Sequence, residues 1–125
     1  MSDLASFAVV KADEIVVGVL SGEIDLSNAK ELESQIESAV PNTALGMVLD
    51  LSKVTYLDSS GIRLLLSLAG RLRWRGQELV LAAPPESRCR HVLSLAGVGN
   101  TVLLETTVDA ARARLQDPSG VGPSS

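Results

Sequence analysis

Gly46-Met47-Val48-Leu49-Asp50-Leu51-Ser52-Lys53-Val54-Thr55-Tyr56-Leu57-Asp58-Ser59-Ser60-Gly61-Ile62-Arg63 is the stretch whose reading decides the fold. Met47 to Leu51 is a short, nearly continuous apolar run of strand formers, the pattern of a strand covered on both faces. Ser52 to Leu57 reads as linking residues. Asp58, Ser59 and Ser60 then supply three small oxygen-bearing side chains of the kind that accept hydrogen bonds from the free amides of a helix's first turn, so a helix is predicted to begin there. Such a unit holds a serine hydroxyl at the positive end of a helix dipole, where backbone N–H groups can accommodate a phosphoryl group. It is a candidate phosphorylation switch.

Outward from this stretch, strands and helices alternate. Phe7–Lys11 and Ile15–Leu20 are strand-like runs around the polar break Ala12-Asp13-Glu14, which predicts an antiparallel pair. Gly22-Glu23-Ile24-Asp25 ends the second strand. Asn28 with Glu31 three residues on predicts a helix start, with Ala29, Leu32, Ile36, Ala39 and Val40 inward and Lys30, Glu31, Glu33, Ser34 and Glu37 in water. Pro41-Asn42 breaks it, so this helix is a crossover between strands expected to lie parallel.

The second helix is predicted to bury Ile62, Leu65, Leu66, Ala69 and Leu72 and to end near Gly76 with Trp74 packed at its end. Glu78–Ala83 reads as a buried strand. A third helix follows with Cys89, Val92, Leu93 and Ala96 inward and Gly97 as its C-terminal cap. Thr101–Leu104 is a short last strand, and Val108, Ala111 and Leu115 give a last helix its apolar stripe. The Pro/Gly/Ser-rich residues 118–125 are expected to be disordered, leaving one domain over residues 1–117.

Composition narrows the function classes. The chain has 125 residues, 46% apolar but only 2% aromatic, and a net charge of −4, with no basic footprint for nucleic acid or an anionic membrane. No apolar run reaches the length of a membrane span, so a cytoplasmic protein is expected. One cysteine, Cys89, and one histidine, His91, are too few for a disulfide or a metal site, and no cofactor is expected. A hydrolase reading of Ser59 lacks the Gly-x-Ser-x-Gly pattern, and no Gly-rich Lys-Ser/Thr loop is present for nucleotide. The chain is not expected to be an enzyme.

The strand, the Asp58-Ser59-Ser60-Gly61 loop and the following helix together resemble the signature of the STAS family, whose best-known members are the anti-sigma factor antagonists of bacteria. Gly22-Glu23-Ile24-Asp25 is similar to that family's Gly-Glu-Leu-Asp loop. The resemblance runs from the first hairpin through the last helix. It implies an α/β fold with a mixed sheet of four to five strands, about four helices and an opening antiparallel pair. It also implies that the unphosphorylated protein binds an anti-sigma factor that is a serine kinase, that phosphorylation of Ser59 ends binding, and that a serine phosphatase resets it. A constitutive scaffold or a transport-complex subunit is the other function carried by the same family.

The residues themselves leave roles open. Asp25 either helps the kinase engage the serine, as the resemblance implies, or caps the first helix or a turn; Asp58 positions the serine, caps the second helix, or does both. Ser60 is a second phosphoacceptor candidate after Ser59 or an alternative cap, and the resemblance assigns Asp25, Asp58, Ser60, Gly61 and Arg63 to the surface that meets the kinase or partner. Arg63 stands where the family usually has a small residue, and its guanidinium either pairs with a phosphate or an acidic partner or is a solvated helix charge.

Overall fold

The computed structural model describes residues 4–116. The expected boundary at residue 117 and the tail over 118–125 lie outside the described residues. The elements in order are β1 (Ala5–Ala12), β2 (Ile15–Ile24), α1 (Ala29–Ser38), β3 (Gly46–Leu57), α2 (Ser59–Trp74), β4 (Glu78–Ala82), α3 (Arg88–Leu95), a short 3-10 helix (Val98–Asn100), β5 (Leu103–Glu105) and α4 (Val108–Gln116). The five strands form one sheet in sequence order, with β1 antiparallel to β2 and every other pair parallel. The expected mixed α/β sheet with an opening antiparallel pair is what the chain forms.

Period-two alternation divides the core between the two faces. Val16, Leu20 and Ile24 of β2, Met47, Leu49 and Leu51 of β3, and Leu79 and Leu81 of β4 meet α1, α2 and α3. Ile15, Val17, Val48, Val80 and Ala82 face the other way and are covered by Ala111 and Leu115 of α4. Strands with both faces covered read as continuous apolar runs, which is why the middle of the sheet was conspicuous in the sequence.

Beyond the reach of α4 the pattern changes. Strand β3 does not stop at Leu51 but continues through Ser52–Leu57, pairing Ser21 with Lys53, Gly22 with Val54, Glu23 with Tyr56 and Ile24 with Leu57. Register shifts between Val19 and Ser21 and between Gly22 and Glu23 place the buried residues at 51, 54 and 57, a spacing of three. That spacing hides a strand from a test for alternation. Strand β2 likewise runs past Leu20 and ends within the Gly22-Glu23-Ile24-Asp25 segment, at Ile24. Gly22 is required at its irregularity: its φ is +90°, and a Cβ would fall 2.0 Å from the Leu4 carbonyl oxygen.

Several inward assignments need correction. Helix α2 buries Gly61, Leu64, Leu65, Leu68, Ala69 and Leu72, whereas Leu66 is exposed and Ile62 half-buried. Contact of Gly61 with Leu57 sets the rotation of the first turn, and the buried face widens toward Leu64 and Leu68 because α1 lies alongside. Trp74 does not pack at the helix end; it is 92% exposed. Ala96 is an exposed C-cap rather than a core residue, although Gly97 does end α3 with φ +72°. Ala39 likewise caps α1 half-buried. The last strand is shifted to Leu103–Glu105, and Val102 before it is buried in the core.

Candidate functional site

Two neighbouring parallel strands end together, and their ends create the site. Ile24 and Leu57 are in register, and the Asp58 amide donates to the Ile24 carbonyl at 3.3 Å. Asp25 and Asp58 therefore leave the sheet side by side at the carboxyl ends of the strands, the edge at which open α/β sheets place their ligand sites.

The Asp58 side chain starts α2. Its Oδ1 accepts from the amides of Ser60 at 2.8 Å and Gly61 at 3.3 Å, while its carbonyl takes the Ile62 amide at 3.0 Å. Asp58 is thus the cap of the helix, and Ser60, the alternative cap, is not. Ser59 is the first helical residue and is exposed; its hydroxyl has no hydrogen-bond partner among the described residues. Gly61 is buried, and a Cβ there would lie 2.2 Å from Leu57 Cδ1 and 2.9 Å from its Cγ. A side chain would push the first turn off the end of β3.

The Asp25 segment is held by its own neighbours. Asn28 accepts from the Asp25 amide at 3.0 Å and donates to the Glu23 carbonyl at 2.9 Å. The Asn28 side chain is thereby engaged outside the helix and makes no cap bond to α1, contrary to the expected cap. The Asp25 carboxylate accepts from Ser27 twice, from its amide at 2.9 Å and its hydroxyl at 2.6 Å. The chain turns back on itself here, a local Asx arrangement. The topology brings Asp25, Asp58, Ser59, Ser60 and Gly61 to one end of the sheet, but the Asp25 carboxylate bonds Ser27 and not the Ser59 hydroxyl.

Arg63, one turn beyond Ser59, is exposed and makes no ion pair among the described residues. Together with Lys30 it flanks a groove of about 310 Å³ between α1 and α2. Ser60 and the largely exposed Leu26 form its end nearest the Ser59 loop. Glu33, expected in water, lies in this groove with its side chain only 18% exposed. It accepts from Ser67 Oγ at 2.5 Å and Arg71 Nε at 3.0 Å and so joins the two helices. Sequence reasoning missed Leu26, whose one signal was an apolar residue between Asp25 and Ser27 that fits neither a strand nor a helix face. His91, the only histidine, is exposed on α3 and does not bond Ser59.

A mixed five-stranded sheet, three helices packed on one face, and an Asp-Ser-Ser-Gly helix start at the strands' carboxyl ends define a STAS-type regulatory domain. The family model for the STAS domain matches residues 6–111. The anti-sigma-F factor antagonist RsfB of Mycobacterium tuberculosis is 34% identical over 114 residues, covering 89% of this chain and 91% of RsfB. The crystal structure of an anti-sigma factor antagonist from Mycobacterium paratuberculosis superposes with a TM-score of 0.74 at 31% identity, over 90% of this chain and 95% of that one. The unphosphorylated Bacillus antagonist SpoIIAA shares the fold, with a TM-score of 0.69 at 22% identity over 89% of this chain and 96% of that one. The chain belongs to the STAS-domain anti-sigma factor antagonist family.

Proposed function

We propose that this chain is a phosphorylation-controlled anti-sigma factor antagonist. In its unphosphorylated form it binds an anti-sigma factor that is also a serine kinase and thereby frees a sigma factor. Transfer of a phosphoryl group to Ser59 ends binding, and a serine phosphatase restores it. The chain is the substrate of these enzymes and not itself a catalyst, and it works in the cytoplasm without a cofactor. No helix among the described residues is long and apolar enough to cross a membrane.

One observation carries this reading: Ser59 is exposed at the first position of α2, with its hydroxyl unbonded, on a turn fixed by the Asp58 cap and by Gly61 against Leu57. A kinase needs such a hydroxyl, accessible yet held in place, because phosphoryl transfer depends on positioning. Asp25, at the end of the adjacent strand, belongs to the surface the kinase engages. Arg63 lies one turn on, within reach of a phosphate at Ser59.

Electrostatics explain the switch. A phosphoserine brings nearly two negative charges, and the Asp58 carboxylate already occupies the amides of Ser60 and Gly61. In the free domain water screens that repulsion, and the helix dipole and Arg63 offset it. In a complex the same group must be stripped of water beside Asp58, at a cost of several kcal/mol. A hundredfold loss of affinity corresponds to about 2.7 kcal/mol, so no change of fold is needed.

The test is intact mass and peptide mapping after incubation with ATP and the anti-sigma kinase. One phosphate on Ser59, absent from Ser59→Ala, is the expected result. Phosphate on Ser60, or none, overturns the assignment.

A further inference from the structure

A phosphate on Ser59 meets a helix start whose donors are already engaged. Anions at a helix N-terminus are ordinarily held by the free amides of the first turn. In α2 the Ser60 and Gly61 amides donate to Asp58 Oδ1, and the Ile62 amide donates to the Asp58 carbonyl. A phosphoryl group on Ser59 therefore finds none of these amides vacant and lies beside a carboxylate. It needs a cation.

Arg63 is the residue placed to supply one. It stands four positions on from Ser59, the spacing at which helical side chains are neighbours. Side chains of a helix lean toward its N-terminus, which carries a long residue at this position back over the Ser59 turn. Arg63 is exposed and has no partner among the described residues. The other arginines within α2 are committed: Arg71 is held by Glu33 and Glu37, and Arg73 by Glu78 and the Thr101 carbonyl. Both also lie more than three turns beyond Ser59. Helix α2 contains no acidic residue to compete for Arg63, and Glu33 across the groove is already bonded to Ser67 and Arg71. In the unmodified chain Arg63 borders the groove between α1 and α2 together with Lys30, Leu26 and Ser60.

We propose that Arg63 is the internal receptor of the Ser59 phosphate: on phosphorylation its guanidinium leaves the edge of the groove and forms a two-pronged ion pair with the phosphate oxygens. This inference rests on Ser59 being the phosphoacceptor. The pair holds the modified turn against repulsion from Asp58, so the free domain tolerates the phosphate. It also covers the phosphate from a hydrolase and so prolongs the off state. Finally, it withdraws from the groove one of its two unpaired cations, leaving Lys30.

The test uses protein with phosphoserine installed at position 59 during translation, titrated by phosphorus NMR. An adjacent cation favours the dianion, so the second phosphate pKa, ordinarily about 6, should lie about half a unit lower with Arg63 than in Arg63→Gln. The difference should close in about 1 M salt, and Arg63→Lys, with charge but no fork, should fall between the two. The other charged groups that the topology gathers at this end of the sheet, Asp25 of the β2 end, Asp58, Lys30 of α1, and Arg88 and His91 of α3, are common to both proteins, so the difference isolates the guanidinium. Alkaline phosphatase should release phosphate about threefold faster from Arg63→Gln, in keeping with the same half unit. Without phosphate, Arg63→Gln and wild type should melt alike, because Arg63 has no bond to lose. Equal phosphate pKa values in the two phosphoproteins, equal rates of release, or a melting difference already present without phosphate overturns the proposal. Because the phosphate is installed without a kinase, failure of this titration and failure of the kinase assay above are separate results.

Discussion

Replacing Asp58 by alanine separates the mechanical role of this residue from its charge. In the folded domain its Oδ1 holds the amides of both Ser60 and Gly61. Loss of an N-cap of this kind costs about 1 kcal/mol, and loss of a negative charge at the positive end of a helix adds about 0.5 kcal/mol. Together these predict a destabilisation of about 1.5–2 kcal/mol. With an unfolding entropy of about 2 cal/mol/K per residue, a domain of this size then melts roughly 6–8 °C lower. Asp58→Asn keeps the capping oxygen and loses only the charge, so its melting temperature should fall by roughly 2 °C. Thermal unfolding followed by far-ultraviolet circular dichroism, with urea titration at 25 °C, measures both variants. An Asp58→Ala protein melting within 2 °C of wild type, or an Asp58→Asn protein as unstable as Asp58→Ala, would refute the assignment of this carboxylate as the cap that fixes the Ser59 turn.

Gly61→Ala should cost about 1–3 kcal/mol, because its Cβ lands 2.2 Å from Leu57 Cδ1 and the side chain or the helix start must shift; urea unfolding measures it. Asp25→Asn should leave the melting temperature near wild type while slowing phosphorylation of Ser59 or weakening kinase binding; wild-type rate and affinity would return Asp25 to a turn-forming role held through Ser27. Burial pushes the Cys89 thiol up to about 11. The fold thus favours the neutral thiol, and this contribution is complete below the thiol's unfolded value near 9 and is lost as pH rises toward 11. A thiol reagent at pH 8 should therefore label Cys89 only upon unfolding, and labelling as fast in the native protein as in urea would contradict its burial.

What the sequence disclosed follows from which physical signals are periodic. The centre of the sheet was legible because Met47–Leu51 and Leu79–Ala82 are covered on both faces, and the start of α2 because Asp58, Ser59 and Ser60 offer cap oxygens, of which Asp58 makes the bonds. The second half of β3 was not, since register shifts against β2 replace alternation by a spacing of three. The inner face of α2 was misjudged at Leu66 and Leu64 because five leucines, three of them consecutive, leave its phase undetermined, and the contact of Gly61 with Leu57 and the packing of α1 fix it. Glu33 carries no mark in the sequence of its bond to Ser67, 34 residues away. The place of Asp25 beside Asp58 depends on the parallel pairing of Ile24 with Leu57, a long-range fact that the loop motif itself does not contain.

The central claim is that a phosphate on Ser59 abolishes partner binding by charge in a desolvated interface and leaves the fold intact. The most direct measurement compares unmodified and stoichiometrically phosphorylated protein side by side, in a thermal melt and in titration against the anti-sigma factor. The two forms should melt within a few degrees of each other while affinity falls at least a hundredfold, with Ser59→Asp weakened and Ser59→Ala binding as wild type. Equal affinity of the two forms, or loss of affinity accompanied by a collapse of the melting temperature, would contradict it.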